Sequence, residues 1–130
     1  MEPLLGLRVL DFSRLLPGPM CSWYLRGMGA EVIKIESPSG GDPLRNMPPM
    51  NSSGVGAWFE ALNAGTRSVA LDVREPAGLE AARALIGASD VVLEGFRPGV
   101  MKRLGLDPSQ LIEEHPRLIV ASITGYGQEG

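Results

Sequence analysis

Short apolar runs alternate along this chain with segments in which apolar residues recur at helical spacing. The first run, at 7–12, is followed by a proline-containing turn and by apolar positions at helical intervals from Met20 to Met28. Glycine often follows the last turn of a helix, so Gly29 should end this one. The next run, at 31–36, alternates apolar and polar residues and predicts a second strand. Strand, helix and strand together have the size of a β-α-β unit.

The pattern resumes after residue 65 and predicts three further strands, at 68–73, 90–94 and 117–123. Pro76 suits the start of a helix over 77–86, and a short helix over 100–104 follows the fourth strand. Asp107 and Pro108 are typical N-cap and first-position residues of one more helix. This alternation implies an α/β fold with a mainly parallel sheet. Right-handed crossovers would gather the carboxyl ends of the strands, and therefore a ligand, at one edge.

A long connection separates the second and third predicted strands. Residues 37–65 are rich in Gly, Pro, Asn and Ser, and residues 58–62 could add one helical turn. A connection of this length is usually either functional or disordered. Both readings stay open from the pattern alone.

Composition and charge exclude several classes of protein. The 130 residues are 44% hydrophobic and 21% charged, which is ordinary for a globular domain and argues against disorder. A net charge of −3 gives no basic surplus for nucleic acid, and no apolar run approaches the length of a membrane span. Cys21 is the single cysteine, so no disulfide can form within the chain. With no signal-peptide pattern at the start, we expect a soluble, cytoplasmic protein.

Two kinds of site have weak support. Glu36 ends the second strand, where dinucleotide-binding folds carry a ribose-binding acid, but the turn at 15–19 lacks the glycine fingerprint and contains two prolines. We therefore expect Glu36 to be an exposed strand-end acid. His115 is the only histidine and sits at a helix end, and Cys21 has the neighbours of a packed core thiol, so we expect neither a metal site nor a nucleophile.

Basic residues follow several of the predicted strands. They are Arg14 after the first strand, Arg74 after the third, and Arg97, Lys102 and Arg103 after the fourth. In a parallel sheet these positions gather at one edge, and guanidinium groups match phosphate geometry. From spacing alone, a phosphorylated ligand and ordinary solvated charge are both open interpretations.

Four stretches of this sequence resemble the class III CoA-transferase family. They are "LRVLDFSRLLPGPMCSWYLRGMGAEVIKIESPSGGDPLR" at 7–45, "RSVALDV" at 67–73, "SDVVLEGFRPGVMKRLGL" at 89–106 and "HPRLIVASITGYGQEG" at 115–130. The resemblance runs from Leu7 to Gly130. The family includes formyl-CoA, carnitine and bile-acid CoA-transferases and the 2-methylacyl-CoA racemases.

The resemblance implies a Rossmann-like large domain that binds coenzyme A at the carboxyl ends of its strands. Residues 1–130 would be the N-terminal, CoA-binding portion of that domain. The positions expected to contact CoA fall into three turns and one helix: Arg14, Leu16 and Pro17; Leu71, Asp72, Val73 and Arg74; Gly95, Phe96 and Arg97; and Arg103. Acyl-CoA and a carboxylate would be the substrates, with no metal, nucleic acid or membrane as partner. The intact family forms interlocked homodimers.

The resemblance also implies what this sequence lacks. The family's nucleophilic aspartate, and the acid–base pair of the racemases, would come after residue 130, as would the second domain and the C-terminal segment. We therefore expect no catalytic residue within the chain, which would be a fragment, a split gene product or a degenerate remnant. The long segment at 37–65 resembles the transferases more than the racemases. A racemase fragment and a non-catalytic module that binds CoA or a partner remain the alternatives.

Overall fold

A computed structural model describes residues 1–129 and shows an α/β fold. The strands are β1 (Arg8–Asp11), β2 (Glu31–Glu36), β3 (Arg67–Ala70), β4 (Val91–Glu94) and β5 (Ile119–Ser122). The helices are α1 (Pro17–Gly27), α2 (Ala57–Asn63), α3 (Pro76–Gly87), α4 (Val100–Arg103) and α5 (Pro108–Glu114), with a 3-10 helix at Pro43–Asn46. The sequence predicted all five strands in this order.

The five strands form one parallel sheet in the order β3-β2-β1-β4-β5. Leu10, near the middle of β1, pairs with Ile33 of β2 on one side and with Val92 of β4 on the other. The chain therefore moves outward from β1 to β3, crosses back over the sheet through α3, and continues outward from β4. Such a reversal leaves a crevice beside the carboxyl ends of β1 and β4, where open α/β sheets bind ligands.

The two faces of the sheet are covered differently. One face packs Leu10, Ile33 and Val92 against Ile86 of α3 and Leu111 of α5. The opposite face packs Val9, Val32 and Leu93 against α1, which contributes Cys21 and Leu25. Cys21 is therefore a half-buried packing residue, as the sequence indicated, and burial raises the pKa of its thiol.

Local signals explain where several helices begin and end. Asp107 caps α5 by accepting a hydrogen bond from the Ser109 N–H, with Pro108 next, as predicted. After α1, Gly29 adopts a φ of +100° and its N–H donates to the Arg26 carbonyl oxygen. Ala30 donates to the Leu25 carbonyl oxygen, so α1 ends in a left-handed glycine motif.

Three boundaries differ from the sequence prediction by two residues or more. Helix α1 begins at Pro17 rather than Met20, because both Pro17 and Pro19 fit within its first turn. Strand β3 ends at Ala70 rather than 73, and β5 begins at Ile119 rather than 117. Each outer strand has one partner and is paired only along that partner's length: β2 ends at Glu36, opposite Ala70, and β4 begins at Val91, opposite Ile119.

Candidate functional site

The carboxyl edge of the sheet brings together the turns that follow β1, β3 and β4. Gly95, directly after β4, lies beside the β1 turn: a Cβ on Gly95 would be 3.5 Å from the Cβ of Ser13. The guanidinium carbon of Arg14 is 6.0 Å from the ring centroid of Phe96. These contacts join the turns after β1 and β4 across the topological switch point, as the strand order requires.

The turn after β1 is fixed by Asp11, which is completely buried. One oxygen of its carboxylate accepts hydrogen bonds from the N–H and the hydroxyl of Ser13, and the other accepts one from the Ser22 hydroxyl of α1 at 2.7 Å. Gly18 allows the approach of helix and turn, since a Cβ there would be 1.9 Å from Oγ of Ser13. The first turn of α1 is thereby held directly against the end of β1.

A buried ion pair supports the same turn from below. Lys34 of β2 and Asp42 of the following loop are each 1% exposed in their side chains, and Nζ of Lys34 lies 3.0 Å from Oδ2 of Asp42. Nζ also donates to the Ser13 carbonyl oxygen at 2.8 Å. The Asp42 carboxylate accepts from the Leu15 N–H and, as the cap of the 3-10 helix, from the Leu44 N–H. Leu15 has a φ of +64°.

Glu36 is buried, so the expectation of an exposed strand-end acid is wrong. Its carboxylate receives two hydrogen bonds from Arg45, at 2.7 and 2.9 Å, one from the Ser68 hydroxyl and one from the Asp42 N–H. Burial alone would raise the pKa of Glu36, but these hydrogen bonds lower it to about 2. The Arg45 guanidinium in turn stacks 3.9 Å from the Phe59 ring centroid. Glu36 therefore anchors the loop and has no oxygen left for a ribose.

The turn after β3 contributes two apolar and two charged side chains to the carboxyl edge of the sheet. Leu71 and Val73 are half-buried and pack against the same core cluster as Phe96. Asp72 and Arg74 form an ion pair of 2.7 Å, and Arg74 lowers the pKa of Asp72 to about 2. Arg74 therefore lies at the predicted edge, but its guanidinium is directed back onto its own turn.

An open cavity of about 350 Å³ lies beside the turn after β4. Its lining includes Arg97, Gly99 and Lys102, together with Asp107 at the start of α5. Lys102 is 3.5 Å from Asp107, whereas Arg97 is exposed and forms no ion pair within residues 1–129. The cavity wall is therefore mixed in charge, with Arg97 as its uncompensated cation.

The predicted basic residues do not all reach that cavity. Arg103 does not line the cavity; its Nη1 is 3.5 Å from the position of a Cβ on Gly99, and its side chain is exposed. Arg14 is exposed near Phe96. Leu16 and Pro17 are exposed at the start of α1. The candidate residues thus form an open strip along the sheet edge rather than one enclosed pocket.

Sequence reasoning missed the buried polar residues beneath this strip, namely Lys34, Asp42 and Glu36. The alternation within β2 predicted that Lys34 and Glu36 face solvent, and Asp42 lies in the following loop, where the sequence carries no burial signal. His115 caps the end of α5, as predicted.

Within residues 1–129 no group of three or more His, Cys, Asp or Glu side chains could hold a metal ion. No helix of the described chain is long and apolar enough to cross a bilayer.

Comparison with known proteins decides the family. A family model described as CoA-transferase family III matches residues 4–130. The chain belongs to this family. It is 42% identical to a succinate–glutarate CoA-transferase from Agrobacterium fabrum, over 98% of this chain and 34% of that protein. It is 43% identical to a formyl-CoA:oxalate CoA-transferase from Rhodopseudomonas palustris, over 94% of this chain and 29% of that protein.

Solved structures agree with the family and the fold. A CAIB/BAIF family protein from Brucella suis superposes with a TM-score of 0.92 at 41% identity, covering 99% of this chain and 35% of that one. A hypothetical protein from Mycobacterium tuberculosis gives a TM-score of 0.91 at 41% identity, covering 100% and 36%. This family III chain therefore spans about a third of the length of the proteins it matches.

The acids at the sheet edge are occupied by structural contacts. Asp11 and Glu36 are buried and accept several hydrogen bonds each, and Glu94 is buried and accepts from the Phe96 N–H at 2.8 Å. Asp72 is paired with Arg74. This arrangement can bind a ligand through exposed cations and backbone turns, but it presents no unengaged carboxylate among these four acids.

Proposed function

We propose that this chain forms the CoA-binding portion of an enzyme that transfers CoA between an acyl-CoA and a carboxylic acid. The proposal is supported by membership of CoA-transferase family III and by relatives whose names describe transfer of CoA between carboxylic acids. The observation that carries it is the open strip at the switch point, where exposed cations adjoin apolar turns. A phosphorylated, partly apolar ligand such as CoA requires this combination.

We assign the parts of CoA by chemistry. Leu71 and Val73 offer an apolar surface for the adenosine end, beside the turn Gly95–Arg97, while Arg97 and Arg103 are the cations for phosphate. The turn of Arg14, Leu16 and Pro17 would line the path of the pantetheine arm toward the thioester. Asp72 and Arg74 would flank the adenosine end as a pair rather than as separate groups.

In the proposed reaction, an oxygen of a carboxylate of the enzyme attacks the thioester carbonyl carbon of the acyl-CoA. The CoA thiolate leaves, and the enzyme carboxylate and the acyl group form a mixed anhydride. The thiolate then attacks the enzyme's carbonyl carbon, which releases the first acid and leaves CoA as an enzyme thioester. The acceptor acid repeats these steps in reverse. Asp11, Glu36, Asp72 and Glu94 are engaged elsewhere, so we assign residues 1–130 binding and positioning rather than the nucleophile.

Calorimetry with CoA tests this function. Arg103→Ala should weaken binding by about 10- to 150-fold, because a hydrogen bond to a charged group contributes roughly 1.5–3 kcal/mol. Arg117→Ala is the matched control, since Arg117 is exposed but precedes β5 at the opposite edge. Added salt should weaken wild-type binding. Absence of CoA binding to the folded chain would contradict the proposed function, and equal affinity of wild type and Arg103→Ala would refute the role of Arg103.

A further inference from the structure

The turn between β1 and α1 contains a backbone conformation that needs an explanation. Leu15 is the one non-glycine residue with a positive φ among residues 1–129, at +64°. A residue with a side chain is uncommon in this left-handed region, because its Cβ approaches the carbonyl oxygen too closely. Leu15 also stands between Arg14 and Leu16, two of the residues proposed to line the CoA path. Contacts with neighbouring residues must therefore offset the conformational energy of Leu15.

The compensation comes from the Asp42 carboxylate. The Leu15 N–H points at this carboxylate and lies 3.2 Å from each oxygen. Asp42 is fully buried, and its own backbone N–H is held by Glu36 at 2.7 Å. A buried carboxylate that accepts from a backbone N–H is a strong acceptor, because no water competes for it.

Lys34 makes this arrangement possible. A buried carboxylate requires a counter-charge, and Nζ of Lys34 supplies one at 3.0 Å. The same Nζ donates to the carbonyl oxygen of Ser13, two residues before Leu15. The pair therefore holds the turn at two points: Asp42 accepts from the Leu15 N–H, and Lys34 donates to the Ser13 carbonyl oxygen. In the described residues every buried side-chain polar atom has a hydrogen-bond partner, so the network is complete.

We infer that Asp42 and Lys34 are positioning residues that hold Leu15 in its left-handed conformation and so preset the turn of Arg14 to Pro17 for the CoA thioester arm. They touch no ligand themselves. The part of the loop at 37–65 that contains Asp42 therefore stabilises the turn that follows β1. The CoA part of this inference rests on the proposed function, whereas the Asp42–Leu15 contact does not.

The first test needs no ligand. Asp42→Ala should make the Leu15 amide exchange with solvent at least about tenfold faster by NMR, because it removes the acceptor that protects this N–H. The Val9 and Leu10 amides of β1 should keep their protection. Asp72→Asn is the matched control, since Asp72 also accepts bonds in its own turn but does not contact Leu15. Unchanged exchange at Leu15 in Asp42→Ala would overturn the inference.

A second variant guards against unfolding. Asp42→Ala leaves Lys34 buried without a counter-charge, so Lys34→Met/Asp42→Ala removes both charges together. This double variant should fold and still show fast exchange at Leu15. Retained protection of Leu15 in a folded double variant would count against the role of the pair.

The second test is a rescue measured by CoA affinity. Asp42→Ala should weaken CoA binding about tenfold, and adding Leu15→Gly should restore most of it, because glycine adopts the left-handed region without a steric penalty. Adding Leu16→Gly to Asp42→Ala is the control and should not restore affinity, since Leu16 is 48% exposed against 41% for Leu15 but has a φ of −105°. Additive losses for Leu15→Gly and Asp42→Ala would overturn the positioning role. If the wild-type chain binds no CoA, the proposed function fails, while exchange at Leu15 still decides the Asp42 contact.

Discussion

At the scale of single residues, buried charged side chains beneath the site hold its turns in place. Lys34, Glu36 and Asp42 lie almost completely out of water, and each is paired. The sequence could not predict this. In β2 the alternation of apolar and charged residues is typical of a half-exposed strand, but β2 is an inner strand covered on both faces. Side-chain burial there depends on the sheet order, which no local pattern contains.

Glu36 makes stability depend on acid pH. Its folded pKa of about 2 lies below the ordinary value of 4.5, so its contribution is fully present above pH 4.5 and is lost as pH falls toward 2. Urea unfolding across this window should show stability falling by at most about 1.4 kcal/mol per pH unit from this group. In Glu36→Gln that part of the slope should disappear. An unchanged slope in a folded Glu36→Gln would show that Glu36 does not carry it.

At the scale of elements, the junction of β1 and α1 depends on one glycine. Gly18 lies in the first turn of α1, where a Cβ would overlap Oγ and Cβ of Ser13. The sequence predicted a helix after a proline-rich turn. It could not predict that Ser13 contacts Gly18, because Ser13 is held there by its hydrogen bonds to the buried Asp11 carboxylate.

Two glycines of α1 should respond oppositely to alanine. Gly18→Ala should destabilise the protein by roughly 1–3 kcal/mol, since the added methyl group forces α1 away from the turn. Gly27→Ala, in the last turn of the same helix, has nothing within 4 Å of its Cβ position and should stabilise by up to about 1 kcal/mol. Thermal and urea unfolding of both variants measure the difference. Equal effects would contradict the close approach at Gly18.

At the scale of the whole molecule, the parallel arrangement of the strands and the basic residues at the carboxyl edge of the sheet agree with the sequence prediction, whereas the strand order was not predicted. Alternating strands and helices predicted a parallel sheet, and the basic residues after β1, β3 and β4 lie at one edge as expected. The prediction did not distinguish free from paired cations. Arg74 binds Asp72 and Lys102 lies near Asp107, whereas Arg97 forms no ion pair in the described chain. Such pairing depends on turn geometry rather than on residue spacing.

Exposed aromatic side chains on α1 lead us to expect that the protein self-associates. Trp23 and Tyr24 are 42% and 59% exposed, and Trp58 of the adjacent α2 is 57% exposed. Large exposed aromatic side chains on two helices in contact favour association, because they present apolar surface to water. Sedimentation velocity should show concentration-dependent aggregates or loose oligomers, reduced in Trp23→Lys but not in Leu5→Lys, which changes an exposed leucine outside α1. A monodisperse monomer that melts cooperatively would contradict this prediction.

The central claim is that CoA binds along the carboxyl edge of the sheet. Titrating the isotope-labelled chain with CoA while recording amide NMR spectra tests it most directly. We predict saturable shifts in the turns at 14–16, 71–74 and 95–97, with little change at the opposite edge, at 29–30 and 88–90. Shifts concentrated at that opposite edge, or no shifts in a folded chain at saturating CoA, would contradict the account.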